Sequence, residues 1–210
     1  DDGAPPGICS VIVYPMNALA EDQLGRLREL LAGSGITFGM YVGKTPENEA
    51  DVTGYRLAPG SSNADFRARL AEARAAGEGA SVHPAEELCS REMMRQQGSQ
   101  PRILLTNAKQ LELLLTRQSD VELFDNARLD FLVFDEALTF TGATGAEVAC
   151  QSRRLRSFCG RGADDTVCVA TSATTVDPTN PDAARDFASR FFGVERELIE
   201  TVGEEYEEEV

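Results

Sequence analysis

Two adjacent carboxylates, Asp135 and Glu136, directly follow the apolar run at residues 131–134. An apolar run of that length bounded by polar residues reads as a buried parallel strand. Ligands of open α/β sheets gather at the carboxyl ends of such strands. Acids placed there can share the work of phosphate hydrolysis. Asp135 can hold a magnesium ion through water, while Glu136 orients or deprotonates a water that attacks a phosphate. The same residues admit a plainer reading, in which both acids only solvate a strand end. What else reaches that edge decides between the two.

Three other predicted strands end in polar residues. Residues 8–14 form a strand closed by Pro15, and Asn17 is expected to cap a helix carrying the apolar stripe Leu19, Leu24, Leu27, Leu30 and Leu31 until Gly33 and Gly35 end it. Residues 102–106 form another strand ending at Thr106, after which Asn107 caps a helix that turns Leu111, Leu114 and Leu115 inward. Residues 166–171 form a strand followed by Ser172, Ala173 and Thr174. Further strands are expected at 37–42 and 197–202, and helices at 144–156 and 181–192. Residues 43–100 are loosely patterned, with helices near 63–76 and 84–97, and read as an insertion or a mobile excursion. Alternating strands and helices argue a mainly parallel sheet with helices on both faces. Taken singly, Asn17, Asn107, Ser172 and Thr174 are ordinary caps and turn formers. Together on one edge they offer backbone N–H groups to phosphate oxygens.

The bulk numbers agree with one soluble α/β domain: 210 residues, 42% hydrophobic and 26% charged. No apolar run has the length of a membrane helix and no secretory pattern opens the chain, so a cytoplasmic protein is expected. The five cysteines include no Cys-x-x-Cys pair and read as small, reduced core residues. The only histidine, His83, precedes Pro84 and is expected at a helix start, which leaves no basis for a histidine metal site or triad. A formal net charge of -15 looks hostile to nucleic acid. Residues 195–210, however, hold eight glutamates against one arginine, whereas Arg153, Arg154, Arg156 and Arg161 cluster elsewhere. Screening beyond about 10 Å allows a locally positive groove on an acidic chain.

Tyr14 to Gln23, including Pro15 and Asn17, resembles motif Ia of the superfamily-2 DEAD/DEAH-box helicases. Residues 103–107, ending in Thr106-Asn107, resemble motif Ib. Asp135-Glu136-Ala137-Leu138 stands in the place of motif II, and Ser172-Ala173-Thr174 in that of motif III. The stretch 139–149 followed by Arg153-Arg154 is similar to a bacterial branch of large helicases active in DNA repair and phage defence. The resemblance implies a RecA-like three-layer sandwich that is the first lobe of an ATP-dependent motor. It implies that Asp135 holds the magnesium of ATP and that Glu136 activates water. Leu138, Ser172, Ala173 and Thr174 would couple nucleotide state to the groove. Pro15, Asn17, Gln23, Thr106 and Asn107 would touch the sugar-phosphate backbone, with DNA favoured over RNA.

Two departures qualify the match. Leu138 stands where the family carries His or Asp, and a leucine cannot hydrogen-bond to the Ser172 to Thr174 segment. The phosphate-cradling Gly-x-x-x-x-Gly-Lys-Ser/Thr loop is also missing. Gly43-Lys44-Thr45 has Gly39 four residues before Gly43 rather than five, and follows motif Ia instead of preceding it. The expectation is therefore one partial lobe over residues 1–210, truncated before motif Ia and inactive alone, with 203–210 starting an acidic linker to a second RecA-like lobe. The alternative is a helicase-derived, nucleic-acid-binding scaffold without ATP turnover.

Overall fold

In the computed structural model of the chain, the structure describes residues 7–77, 81–172 and 182–202. The β-branched run Ser10–Tyr14 forms β1, and the stripe behind it forms helix α1, Asn17–Leu31. Then come β2 (Phe38–Met40), β3 (Tyr55–Arg56), α2 (Asn63–Ala75), β4 (Val82–His83) and α3 (Arg91–Arg95). The second half supplies β5 (Ile103–Asn107), α4 (Ala108–Thr116), β6 (Phe131–Phe134), α5 (Gly142–Phe158), β7 (Val167–Ala170) and α6 (Ala183–Phe192). Five strands pair in the order β2-β5-β1-β6-β7, every pair parallel. Their carboxyl ends therefore share one edge.

Alternation along the strands divides the core into two layers. Val11, Val13, Leu104, Leu132 and Phe134 pack under Leu111 and Leu114 of α4, Val148 and Leu155 of α5, and Phe191 and Phe192 of α6. Tyr14, Leu105 and Phe38 point the other way, onto Ala20, Leu24 and Leu31 of α1. This is the expected three-layer arrangement. Phe134 meets Phe191 edge-on at 5.1 Å and Phe140 at 6.2 Å. Such pairs add roughly 0.5–1.5 kcal/mol each beyond burial, which fixes the end of β6 just where the acids begin.

Residues 43–100 are more ordered than their composition suggests. Strands β3 and β4 pair in parallel, and Phe66 of α2 packs with Leu57 and Val82 in a small separate core. A reciprocal Ser62–Asp65 capping box starts α2. The helix expected over 84–97 shrinks to α3. The backbone N–H of Phe38 donates to Glu86 O, and that of Leu88 donates to Phe38 O, so residues 86–88 pair with β2 instead of coiling.

His83 likewise starts no helix, because it lies buried in β4. The strand expected over 197–202 is replaced by a tight 3-10 turn, Arg196–Leu198, in which Arg196 pairs with Asp182 and Asp186. Four cysteines are half-buried and Cys150 is exposed on α5, so they line the core's margins rather than fill it. Among the described residues no helix is long and apolar enough to cross a membrane.

Candidate functional site

The strand register builds a row of polar residues across the carboxyl edge. Tyr14 ends β1 opposite Asn107 of β5, while Val13 lies opposite Phe134 of β6 and Phe134 opposite Ala170 of β7. One residue further on, Asp135 donates its N–H to Val13 O at 2.9 Å, and Thr171 donates its own to Phe134 O at 3.0 Å. Asn107, Tyr14, Asp135 and Thr171 thus stand side by side. At about 4.8 Å per strand the row spans about 14 Å.

Thr171 organises the acid pair. Its hydroxyl donates to Asp135 Oδ1 at 2.5 Å and accepts the Glu136 N–H at 3.1 Å. Its carbonyl takes the Ala137 N–H at 2.9 Å. Glu136 itself adopts φ 49° and ψ 43°, the left-handed region that favours glycine. That conformation costs on the order of 1–3 kcal/mol and persists only where neighbours over-determine it. Here Thr171 binds the chain on either side of Glu136, and Thr139 Oγ1 donates to Glu136 O at 2.7 Å. No described residue engages Asp135 Oδ2. Tyr14 borders the acids from β1; burial and the Asp135 carboxylate push its phenol up to about 12, so it stays protonated.

The other expected site residues divide. Asn17 does not cap α1, since Met16 holds that position without a side-chain bond. Instead Asn17 Oδ1 accepts Asn107 Nδ2 at 2.6 Å, because Asn107, as the cap of α4, spends its own Oδ1 on the Gln110 N–H at 2.7 Å. Pro15 and Asn17 sit half-buried beside the row. Thr106 is enclosed, and its hydroxyl donates to Tyr41 O at 2.8 Å, tying β5 to the segment after β2. Gln23 lies six residues into α1 from Asn17, about 9 Å along the axis and roughly 120° around it. Leu138 is half-exposed in the turn after the acids. Ser172 follows Thr171 at the surface, while Ala173 and Thr174 lie outside the described residues, as does 203–210.

The side chains of the arginine cluster are engaged by the protein itself. Arg153 Nη2 donates to Arg190 O at 2.5 Å, Arg154 chelates Glu112 at 2.8 Å, Arg156 is buried against Phe192 O, and Arg161 reaches Asp130 at 3.1 Å. The first three side chains fasten α5 to α4 and α6, and Arg161 braces the turn after α5 against Asp130. Lys44 of the Gly43-Lys44-Thr45 segment pairs with Glu21, and Thr45 Oγ1 donates to Met40 O at 2.8 Å. That turn follows β2 at the far edge of the sheet, with β5 and β1 between it and the acids.

His83, Glu87 and Cys89 do come together, with potential ligand atoms within 4.8 Å of one another, which the lone histidine gave no cause to expect. The position of a cation is already filled: Arg28 chelates Glu87 at 2.6 and 2.7 Å. Burial, then the Glu87 charge, pushes the Cys89 thiol up to about 12, far from the thiolate a metal requires. This cluster holds α1 to the β3–β4 unit.

Thr171 and Tyr14 stand in stretches the sequence brings to this edge, the strand end before Ser172 and the run into Pro15 and Asn17, but the sequence assigns neither a role of its own. Thr171 immediately precedes the Ser172 motif, and only the β6–β7 register reveals that it, one position earlier, faces Asp135.

No protein-family model matches the chain, and no curated protein matches it. Among solved structures it is similar to the DUF1998 helicase MrfA bound to DNA, at 24% identity and a TM-score of 0.52 over 89% of this chain and 18% of that one. The structure of that helicase bound to DNA and AMPPNP gives the same identity and score over 19% of its chain. A third structure of it gives 0.51 over 22%. The chain thus spans about a fifth of those chains, and what it shares with them is the RecA-like α/β fold.

Proposed function

We propose that the chain is part of the first motor lobe of an ATP-dependent DNA helicase or translocase, with the Asp135–Glu136 edge as the hydrolytic half of its nucleotide site. The observation that carries this reading is the row itself, which sets two carboxylates, a hydroxyl anchor and the Asn17–Asn107 pair on one edge of a parallel sheet. Two of the similar helicase structures are bound to DNA, one of them also to AMPPNP, which favours DNA over RNA as the partner.

Asp135 fits a magnesium ion held through water. It is a hard oxygen donor, half-buried at a strand end, with Oδ1 fixed by Thr171 and no described residue on Oδ2. Bound magnesium neutralises phosphate charge and orients the phosphoryl group. Glu136, one residue further on a left-handed backbone, would accept a proton from the attacking water. The Asn17–Asn107 pair offers neutral donors and acceptors suited to sugar-phosphate, which give affinity without sequence choice. The 210 residues contain no Gly-x-x-x-x-Gly-Lys-Ser/Thr sequence, so in such a motor the phosphate cradle would come from outside them.

The test is Glu136→Gln in the protein that joins this lobe to a phosphate loop. DNA-stimulated ATP turnover is expected to fall at least a hundredfold while DNA affinity stays within about threefold. Turnover equal to the parent's would overturn the assignment. A second reading, a DNA-binding scaffold without turnover, draws on Leu138, which brings no polar group to the turn beside the acids. An intact parent protein with DNA affinity but no ATPase would establish it.

A further inference from the structure

The motif resemblance routes coupling between the acid pair and the β7 strand end through the fourth residue of the Asp135 to Leu138 motif and through Ser172 and Thr174. The geometry points to a further residue: we infer that Thr171 is a positioning residue of this site, coupling the end of β7 to both acids through its hydroxyl. The inference rests on the nucleotide-hydrolase reading above and deepens it.

Three bonds carry it. The Thr171 hydroxyl proton goes to Asp135 Oδ1 at 2.5 Å, one of its lone pairs takes the Glu136 N–H at 3.1 Å, and its carbonyl takes the Ala137 N–H at 2.9 Å. The hydroxyl thus has opposite roles toward the two acids, donating to the first side chain and accepting from the backbone of the second. Donation to Oδ1 restrains the carboxylate's rotation and leaves Oδ2 without a partner among the described residues. Acceptance from Glu136 N helps hold the left-handed backbone that aims its side chain.

A displacement of β7 therefore moves the Asp135 carboxylate, which would hold magnesium, and the Glu136 backbone together. Leu138, half-exposed and apolar, is not needed for that link. The departure at position 138 then has a physical reason: the coupling polar group is on the β7 side of the contact, one residue before the Ser172 motif.

Thr171→Val keeps the shape and removes both hydroxyl bonds, whereas Thr171→Ser keeps them. In the protein that carries this lobe with its phosphate loop, Thr171→Val is expected to lower kcat at least tenfold and to raise the magnesium concentration for half-maximal turnover. The KM for ATP should stay within about twofold, and Thr171→Ser should restore both losses. Independently of turnover, the Glu136 amide should exchange about tenfold faster in Thr171→Val than in Thr171→Ser. If the valine variant does not fold, Thr171→Ala makes the same comparison at this exposed edge.

Parent-like kcat, magnesium dependence and amide exchange in Thr171→Val, alongside an inactive Glu136→Gln, would overturn this inference and leave the hydrolase reading standing. Parent-like turnover in Glu136→Gln would overturn both.

Discussion

Glu87 and Asp135 are both carboxylates inside bonded networks, yet their partners differ in kind. Glu87 is buried and receives two bonds from the Arg28 guanidinium and one contact from His83. Asp135 is half-buried and receives one hydroxyl, with no cation paired to it among the described residues. Burial alone would raise the pKa of Glu87, but the hydrogen bonds from His83 and Arg28 outweigh it and hold the carboxyl below its ordinary value of 4.5. A carboxylate that structure has neutralised is spent on stability. One held in orientation and left without a counter-ion among the described residues is open to a ligand. The same contrast explains why the metal-like spacing at His83, Glu87 and Cys89 is a clamp, while the plainer acid pair is the candidate site.

The largest expected effect breaks the clamp. Glu87→Gln leaves Arg28 in a largely enclosed place without its charge partner, and loss of one member of a buried pair costs roughly 3–5 kcal/mol. Urea unfolding of the chain reads this directly, and a loss below about 1 kcal/mol would dissolve the contrast. The sign of the pH dependence follows from the lowered pKa. Glu87 contributes its full stability above about pH 4.5 and loses it as pH falls through the lower folded value. Acid unfolding of the parent should therefore steepen below pH 4.5, and Glu87→Gln should flatten that part of the profile.

A smaller effect sharpens the comparison at the other end of the row. Asn107→Ala removes the cap of α4 and the bond to Asn17, which together should cost about 1–2 kcal/mol. In the intact protein, DNA binding should weaken with it. Unchanged DNA affinity would confine Asn107 to a capping role.

Much of this layout is legible in the sequence. Strands announce themselves by apolar runs, whether enclosed like β1 and β5 or at the exposed edge like β7, so β1, β5, β6 and β7 and the polar residues ending them are readable one at a time. Register is not. Whether Thr171 or Ser172 faces Asp135 depends on a one-residue alignment between β6 and β7, set by packing of Phe134 against α6 rather than by local pattern. The segment 84–97 misleads for a related reason, because its helix-forming composition yields to backbone pairing with β2. Arg153, Arg154 and Arg156 look like a free cationic stripe because sequence does not show the carbonyls and carboxylate that receive them. Thr106 reads as a surface group in sequence, and its hydroxyl instead closes a gap between strands.

The most direct test sets Asp135→Asn beside Glu87→Gln in the same protein, measuring unfolding free energy and DNA-stimulated ATP turnover for each. Asparagine keeps an oxygen for the Thr171 hydroxyl, so Asp135→Asn should remain within about 1 kcal/mol of the parent in stability while losing turnover at least a hundredfold. Glu87→Gln should do the reverse, losing stability while its folded fraction turns over ATP normally. An Asp135→Asn protein that hydrolyses ATP at the parent rate would contradict the account.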